Sequence, residues 1–348
     1  MARERVISNE SAGEPEERAN LALRPRRLDE CVGQQQVIEQ LRIALEAARA
    51  RREPLEHILL DGPPGLGKTT LAHVIAAEMG VADRLRITSG PAVVKQSDLM
   101  STLTNLETGD ILFIDEVHRL SKVVEEFLYP ALEDFRVDFT LEGGVGGRTV
   151  SFNLKRFTLI GATTRAGMLT NAMRDRFGLR FHFEFYGVDD LKLIVRRAAR
   201  LLEVEADDEA LALLARRARG TPRVANRLLR RTRDYAQVRA AGKLTRAVLE
   251  KALEIQGIDA LGLDDLDRAF LTALMTTYRG GPAGIEALAA TLGEERDTLE
   301  DVVEPYLLQI GFVTRTRQGR CAAPAAYAHM GLPPPAERPG EPDLATLF

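Results

Sequence analysis

Residues 61–70 read Asp61-Gly62-Pro63-Pro64-Gly65-Leu66-Gly67-Lys68-Thr69-Thr70. The spacing of Gly, four residues, then Gly-Lys-Thr is the phosphate-loop pattern. An apolar run, His57-Ile58-Leu59-Leu60, precedes it and reads as a buried strand, and residues 71–79 follow with a helical pattern. Strand, glycine loop and helix are the context that the pattern requires. Gly62, Gly65 and Gly67 let backbone N–H groups turn inward with no Cβ in the way. Those donors and the helix N-terminus bind anionic oxygens. Lys68 is expected to reach the outer phosphates of ATP, and the Thr69 hydroxyl to hold Mg²⁺, with Thr70 beside it. The fold class is therefore α/β, a P-loop nucleotide hydrolase.

The next informative run is Ile111-Leu112-Phe113-Ile114-Asp115-Glu116, four apolar residues leading into two carboxylates. A buried parallel strand reads as such a run, and ligands of α/β sheets sit at its C-terminal end. Asp115 is expected to orient the Mg²⁺ shell and Glu116 to polarise the attacking water. A further buried run, residues 157–162, ends in Thr163-Thr164-Arg165, where Thr164 is placed to sense the γ-phosphate. Arg176, in Met173-Arg174-Asp175-Arg176-Phe177, suits a finger that reaches the phosphate of a neighbouring subunit. Residues 84–88 and 181–186 read as further strands, and residues 117–135 as mostly helix with Glu125-Glu126 and Glu133-Asp134 on a solvated face. Alternation over residues 137–141 and 149–154 about a glycine-rich turn argues a β-hairpin, a surface feature or an arm that docks another protein.

Upstream, residues 1–20 are polar and expected to be loose. The segment 21–34 is expected to be extended at Arg24, which precedes Pro25, and to cover an adenine ring or lie on the surface. A helix follows over residues 36–52. From Asp189 the pattern is wholly helical, and residues 216–234 hold eight arginines and one acid. Within them Thr221-Pro222-Arg223 starts a helix, so Arg223 sits where an anion is favoured and suits a phosphate sensor acting in cis. Arg227, Arg230, Arg231 and Arg233 are expected on a solvated or subunit-facing surface. Residues 261–332 read as three helices and a basic β-wing, the pattern of a winged helix. Arg315 and Arg317 are expected on one strand face and, with Arg320, to contact DNA. The Pro-rich tail from Pro333 is expected to be disordered.

Composition sets the bounds. The chain has 348 residues and net charge −4, which by itself suggests no nucleic-acid partner. Cys31 and Cys321 form no metal or disulfide framework, and no apolar run is long enough to span a membrane, so the cytoplasm is the expected compartment.

The chain closely resembles the RuvB family, the bacterial motor ATPases of Holliday-junction branch migration. The resemblance rests on GPPGLGKTTLA (62–72), LFIDEVHRL (112–120), VEEFLYPALEDF (124–135), FTLIGATTRAG (157–167), RGTPRVANRLLRR (219–231) and EPYLLQIGF (304–312). It implies an AAA+ large domain over residues 21–186, a small helical lid over 187–257 and a winged-helix head over 258–332. It further implies a homohexameric ring on duplex DNA, loaded at Holliday junctions by RuvA and working beside RuvC. By motif, Leu23, Arg24 and Tyr186 would bound the nucleotide, with Glu133, Asp134 and Phe135 beside it. The hairpin at 137–154 would dock RuvA, and Arg315 and Arg320 would touch DNA. The chain departs from the family pattern at Ala172, where a proline is usual, and at Arg317-Gln318 in the wing. Rival readings are another AAA+ machine such as a clamp loader, or an ATP-switched winged-helix regulator that reads a DNA sequence.

Overall fold

The computed structural model describes residues 21–141 and 148–333. The expectations for residues 1–20, for the hairpin tip at 142–147 and for the tail from 334 onward fall outside them.

The apolar runs form strands β1 (Ile58–Asp61), β2 (Leu85–Ser89), β3 (Ile111–Asp115), β6 (Thr158–Thr163) and β7 (Leu179–His182). They make a five-stranded parallel sheet in the order β2-β3-β6-β1-β7. Successive residues face opposite sides, so Phe113 and Ile160 join one buried cluster while Leu112 and Leu159 join the other. Helices α1 (Gln35–Arg51) and α2 (Lys68–Glu78) cover the first face, and α3 (Gln96–Thr104) and α4 (Lys122–Glu133) the second. This two-sided burial explains why β3 and β6 are apolar without alternation. Buried His57 ties the layers: its Nδ1 accepts from Leu159 N–H at 2.9 Å and its Nε2 faces Leu132 O at 3.1 Å. Burial holds the His57 ring below its usual range, which keeps it neutral.

Several sequence expectations are corrected here. The strand read at 181–186 is β7 at Leu179–His182. It pairs only with β1, so pairing stops where β1 turns into the phosphate loop, and Tyr186 N–H instead donates to Gly220 O at 2.8 Å. The stretch 117–135 is mostly helical, as expected, but it opens on a separate turn. Glu116 is left-handed with φ +48°, a 3₁₀ turn spans Val117–Arg119, and Ser121 caps α4 by accepting from Val124 N–H. Glu125 is buried rather than solvated, and so is Arg227. Strands β4 (Arg136–Leu141) and β5 (Arg148–Asn153) pair antiparallel as the expected hairpin.

After α5 (Asn171–Asp175), the lid packs α6 (Val188–Leu201), α7 (Asp208–Arg217), α8 (Pro222–Arg239) and α9 (Arg246–Ile255) around Leu191, Leu214, Leu228 and Leu249. It is not wholly helical: β8 (Glu205–Ala206) and β9 (Lys243–Leu244) pair in parallel. The head contains α10 (Asp265–Thr272), α11 (Ile285–Leu292) and a helix over 296–309 with a π turn at Leu299–Val303. Its wing is β10 (Val313–Thr316) against β11 (Gly319–Ala322). Arg317 falls in the turn, so it does not share a strand face with Arg315.

Lid and head are joined by a buried ion pair. Arg219 donates to Asp267 through both terminal nitrogens and, through Nε, to Gly262 O at 2.7 Å. Both side chains are sealed from water, and the Arg219 guanidinium lies 5.1 Å from the Tyr306 ring.

Candidate nucleotide site and wing

A cavity of about 620 Å³ opens where the phosphate loop, the 23–38 segment and the lid meet. The loop turns through Gly62, Gly65 and Gly67 at φ +133°, +80° and +98°. A Cβ on Gly62 would stand 2.5 Å from Phe183 O, so only glycine lets the loop lie against the segment that follows β7. Gly65, Gly67, Lys68, Thr69 and Thr70 line the cavity; Gly62 forms the loop behind it.

Lys68 is buried, and its Nζ donates to Gly62 O at 2.6 Å and Pro63 O at 2.8 Å. Burial pulls its pKa down to about 8, and Arg223 adds to that while Asp115 and Asp61 oppose it. An ammonium with its charge so poorly compensated favours an anion. Thr69 Oγ1 donates to Asp115 Oδ2 at 3.3 Å, so the hydroxyl and the carboxylate converge from α2 and β3. Two oxygen donors at a polyphosphate cradle are the set a hard divalent cation takes, and Mg²⁺ fits them. Glu116 lines the same cavity, aimed by its left-handed backbone and held by Arg119 Nη1 at 3.2 Å. Such a conformation in a non-glycine residue is strain at a working site. Thr164 also lines the cavity, and Arg223 arrives from α8 with its N–H on Gly65 O at 3.3 Å.

The other end of the cavity is formed by Leu23, Arg24, Gly33 and Tyr186. Leu23 belongs to the lid core, and Tyr186 packs against both the lid and the sheet clusters. The Tyr186 hydroxyl donates to Leu66 O at 3.2 Å, and its ring lies where a Cβ on Gly33 would be, 2.7 Å away.

Four residues expected beside the nucleotide, Glu133, Asp134, Phe135 and Arg176, do not line this chain's own cavity. Helix α4 packs on the sheet face opposite α2, which turns them away. Phe135 packs edge-on against Phe157, and Asp134 pairs with Arg136 at 3.5 Å. Glu133 instead holds Arg176 at 3.0 Å, and the Arg176 guanidinium lies 4.1 Å from the Tyr129 ring. Tyr129 in turn donates to buried Glu125 at 2.9 Å, and Thr170 also donates to Glu125. Positions 125, 129 and 133 lie on one side of α4, so a single helix face presents the arginine.

Sequence reasoning missed other cavity residues: Arg197, Asn226 and Asp301. Arg197, from α6, donates to Leu23 O at 3.1 Å and pairs with Glu30 at 2.8 Å, which ties the 23–30 segment to the lid. A surface-type arginine in an amphipathic helix carries no sequence signal for that role. Burial pushes the Cys31 thiol up to about 11, so it is an inert wall.

In the wing, Arg315 and Arg320 stand opposite each other across β10 and β11. Both grip Glu304, which is fully buried, at 2.6–2.7 Å for Arg315 and 2.8–3.1 Å for Arg320. Burial alone would raise that carboxyl, but the two guanidinium groups hold it below its usual range. Arg317 is exposed at the turn.

A phosphate loop at the end of β1, an Asp-Glu pair at the end of β3 and a lid arginine laid against the loop define an AAA+ P-loop ATPase, here with a winged-helix head. Family models agree with that class along the chain. The Holliday junction DNA helicase RuvB P-loop domain matches residues 23–183, the RuvB AAA lid domain 186–259 and the RuvB C-terminal winged-helix domain 260–331. The chain belongs to the RuvB family. Among solved structures it is similar to the Thermotoga maritima RuvB Holliday junction branch migration motor, with 49% identity and TM-score 0.83, covering 90% of this chain and 100% of that one. A point mutant of the same Thermotoga protein gives 49% identity and TM-score 0.84, with 90% and 99% covered. Among the described residues no helix is long and apolar enough to cross a membrane.

Proposed function

We propose that this protein is an ATP-driven motor that moves duplex DNA to migrate the branch of a Holliday junction in recombination and repair. The observation that supports it most is the convergence of Lys68, Thr69, Asp115, Glu116, Thr164 and Arg223 on one cavity, in a chain whose head carries a wing. Lys68 and the loop N–H groups bind the β- and γ-phosphates of ATP. Mg²⁺, when held by Thr69 with Asp115 behind it, neutralises charge on those oxygens. Glu116 orients a water molecule and accepts its proton as oxygen attacks the γ-phosphorus. The bond to the bridging oxygen breaks, leaving ADP and phosphate. Thr164 reads the presence of the γ-phosphate, and Arg223 reports it to the lid.

Arg176 acts on the cavity of a neighbouring subunit, which accounts for its distance from its own. Glu133, Asp134 and Phe135 face that same neighbour. The assembly is a homohexameric ring in the cytoplasm, recruited to junctions by RuvA through the hairpin at 137–154 and working beside RuvC. The wing meets phosphates, so movement tolerates any sequence and weakens with salt.

A mixing experiment tests the shared site. Lys68→Ala should lose ATP binding, and Arg176→Ala should bind ATP but hydrolyse it about 10³-fold more slowly. Mixed in equal amounts, the two inactive variants should regain hydrolysis, because some boundaries then pair an intact Lys68 with an intact Arg176. No regain on mixing, or normal hydrolysis by Arg176→Ala alone, contradicts a site built from two subunits.

A further inference from the structure

Arg165 follows Thr164 at the end of β6, and its guanidinium crosses to the head. Nε and Nη2 donate to Asp301 Oδ1 at 3.1 and 2.8 Å, with Glu300 at 3.5 Å and Asp297 at 3.6 Å. Three carboxylates of the helix that contains the π turn thus surround one guanidinium. Asp301 also lines the nucleotide cavity, alongside Lys68 and Arg223. Arg165 N–H donates to Thr163 Oγ1 at 3.0 Å, so whatever holds Arg165 bears on the corner that carries Thr164. On its far side Glu300 pairs with Arg320 at 3.2 Å, and Arg320 shares Glu304 with Arg315. One line of ion pairs therefore joins the end of the sensor strand to the wing.

The two charged contacts of the head differ in kind. Arg219 and Asp267, which bind it to the lid, are 1% and 0% exposed, whereas Arg165 and Asp301 are 26% and 31% exposed. A sealed pair cannot separate without leaving a buried charge, but a pair open to water exchanges partners at little cost.

We propose that Asp301 and Arg165 form a latch between head and ATPase domain that an arriving nucleoside triphosphate opens. The phosphates bring negative charge into a cavity whose edge already carries the Asp301 carboxylate, and repulsion is strong in a partly dehydrated site. Asp301 withdraws with the head, which stays on the lid through Arg219 and Asp267. Arg165 is released, and the corner that carries Thr164 is free to close on the terminal phosphate. Asp301 and Arg165 are positioning residues that act through Thr164. The latch rests on the reading of the cavity as the ATP site.

The test uses the full chain, a non-hydrolysable ATP analogue, calorimetric affinity and amide hydrogen exchange. In the unaltered protein the analogue should speed exchange over residues 296–303, the head helix that the latch releases. Asp301→Asn should show that faster exchange without nucleotide and should bind the analogue roughly fivefold tighter, a coupling of ordinary size. A merely structural Asp301 would weaken binding or leave it unchanged. Exchange that ignores the analogue, or an Asp301→Asn affinity no better than the parent's, overturns the latch. If the unaltered protein fails to bind the analogue, the cavity reading falls and takes the latch with it. Tight binding with unchanged exchange removes the latch alone.

Discussion

Lys68 shows how far one residue's environment reaches. Its ammonium is buried against loop carbonyls, and burial sets its pKa near 8. Phosphates in the cavity would favour the charged form and raise that value. Binding at a pH where free Lys68 is neutral therefore takes up a proton. Affinity for ATP should be flat below about pH 7 and fall as pH rises through 8, approaching about tenfold per pH unit. Calorimetry in buffers of different ionisation enthalpy checks this, because proton uptake appears as buffer-dependent heat. Heat independent of buffer at pH 8.5 contradicts it. The loop and the Asp115-Glu116 pair were legible because short-range spacing fixes them: strand, turn and helix leave few ways to place those atoms. The support of Arg176 was not legible. Tyr129 and Glu125 read as ordinary helix residues until α4 and α5 are packed together.

Among the elements, the wing departs most from its sequence reading. Period-two spacing put Arg315 with Arg317, but the strand ends at Thr316 and the register pairs Arg315 with Arg320. Strand length is set by where the turn begins, which alternation does not specify. Arg315 and Arg320 hold buried Glu304, and Arg317 at the exposed turn is the freest to meet a phosphate. Arg317→Ala should weaken duplex binding and lower the salt slope by about one, with the melting temperature unchanged. Arg320→Ala should instead cost about 2–3 kcal/mol of stability, because it strips half the partners from a buried carboxylate. Fluorescence anisotropy against salt and thermal melts separate the two effects. A stable Arg320→Ala that has lost DNA binding would reverse these roles. The π turn in the helix over 296–309 also had no sequence signal, since its residues fit an ordinary helix equally well.

At the level of the whole molecule, the three units were legible from changes in pattern: strand runs, then amphipathic helices, then helices with a basic hairpin. Their mutual contacts were not, because they join residues far apart in the chain. Arg219 and Asp267, separated by 48 residues, are the clearest case. Asp267→Ala leaves Arg219 buried without its counter-charge, at a cost of about 3–5 kcal/mol. It should lower the calorimetric melting temperature, split the transition of lid and head, and uncouple ATP hydrolysis from DNA movement. A single unshifted transition would mean that the pair does not join them. In the proposed motor, ATP cleavage drives a double helix past the protein. The direct measurement is dissociation of a synthetic four-way junction by the purified protein with RuvA and ATP. ATP-dependent branch movement that Lys68→Ala abolishes is the expected result, and ATP consumed beside RuvA while the junction stays intact would contradict a DNA motor.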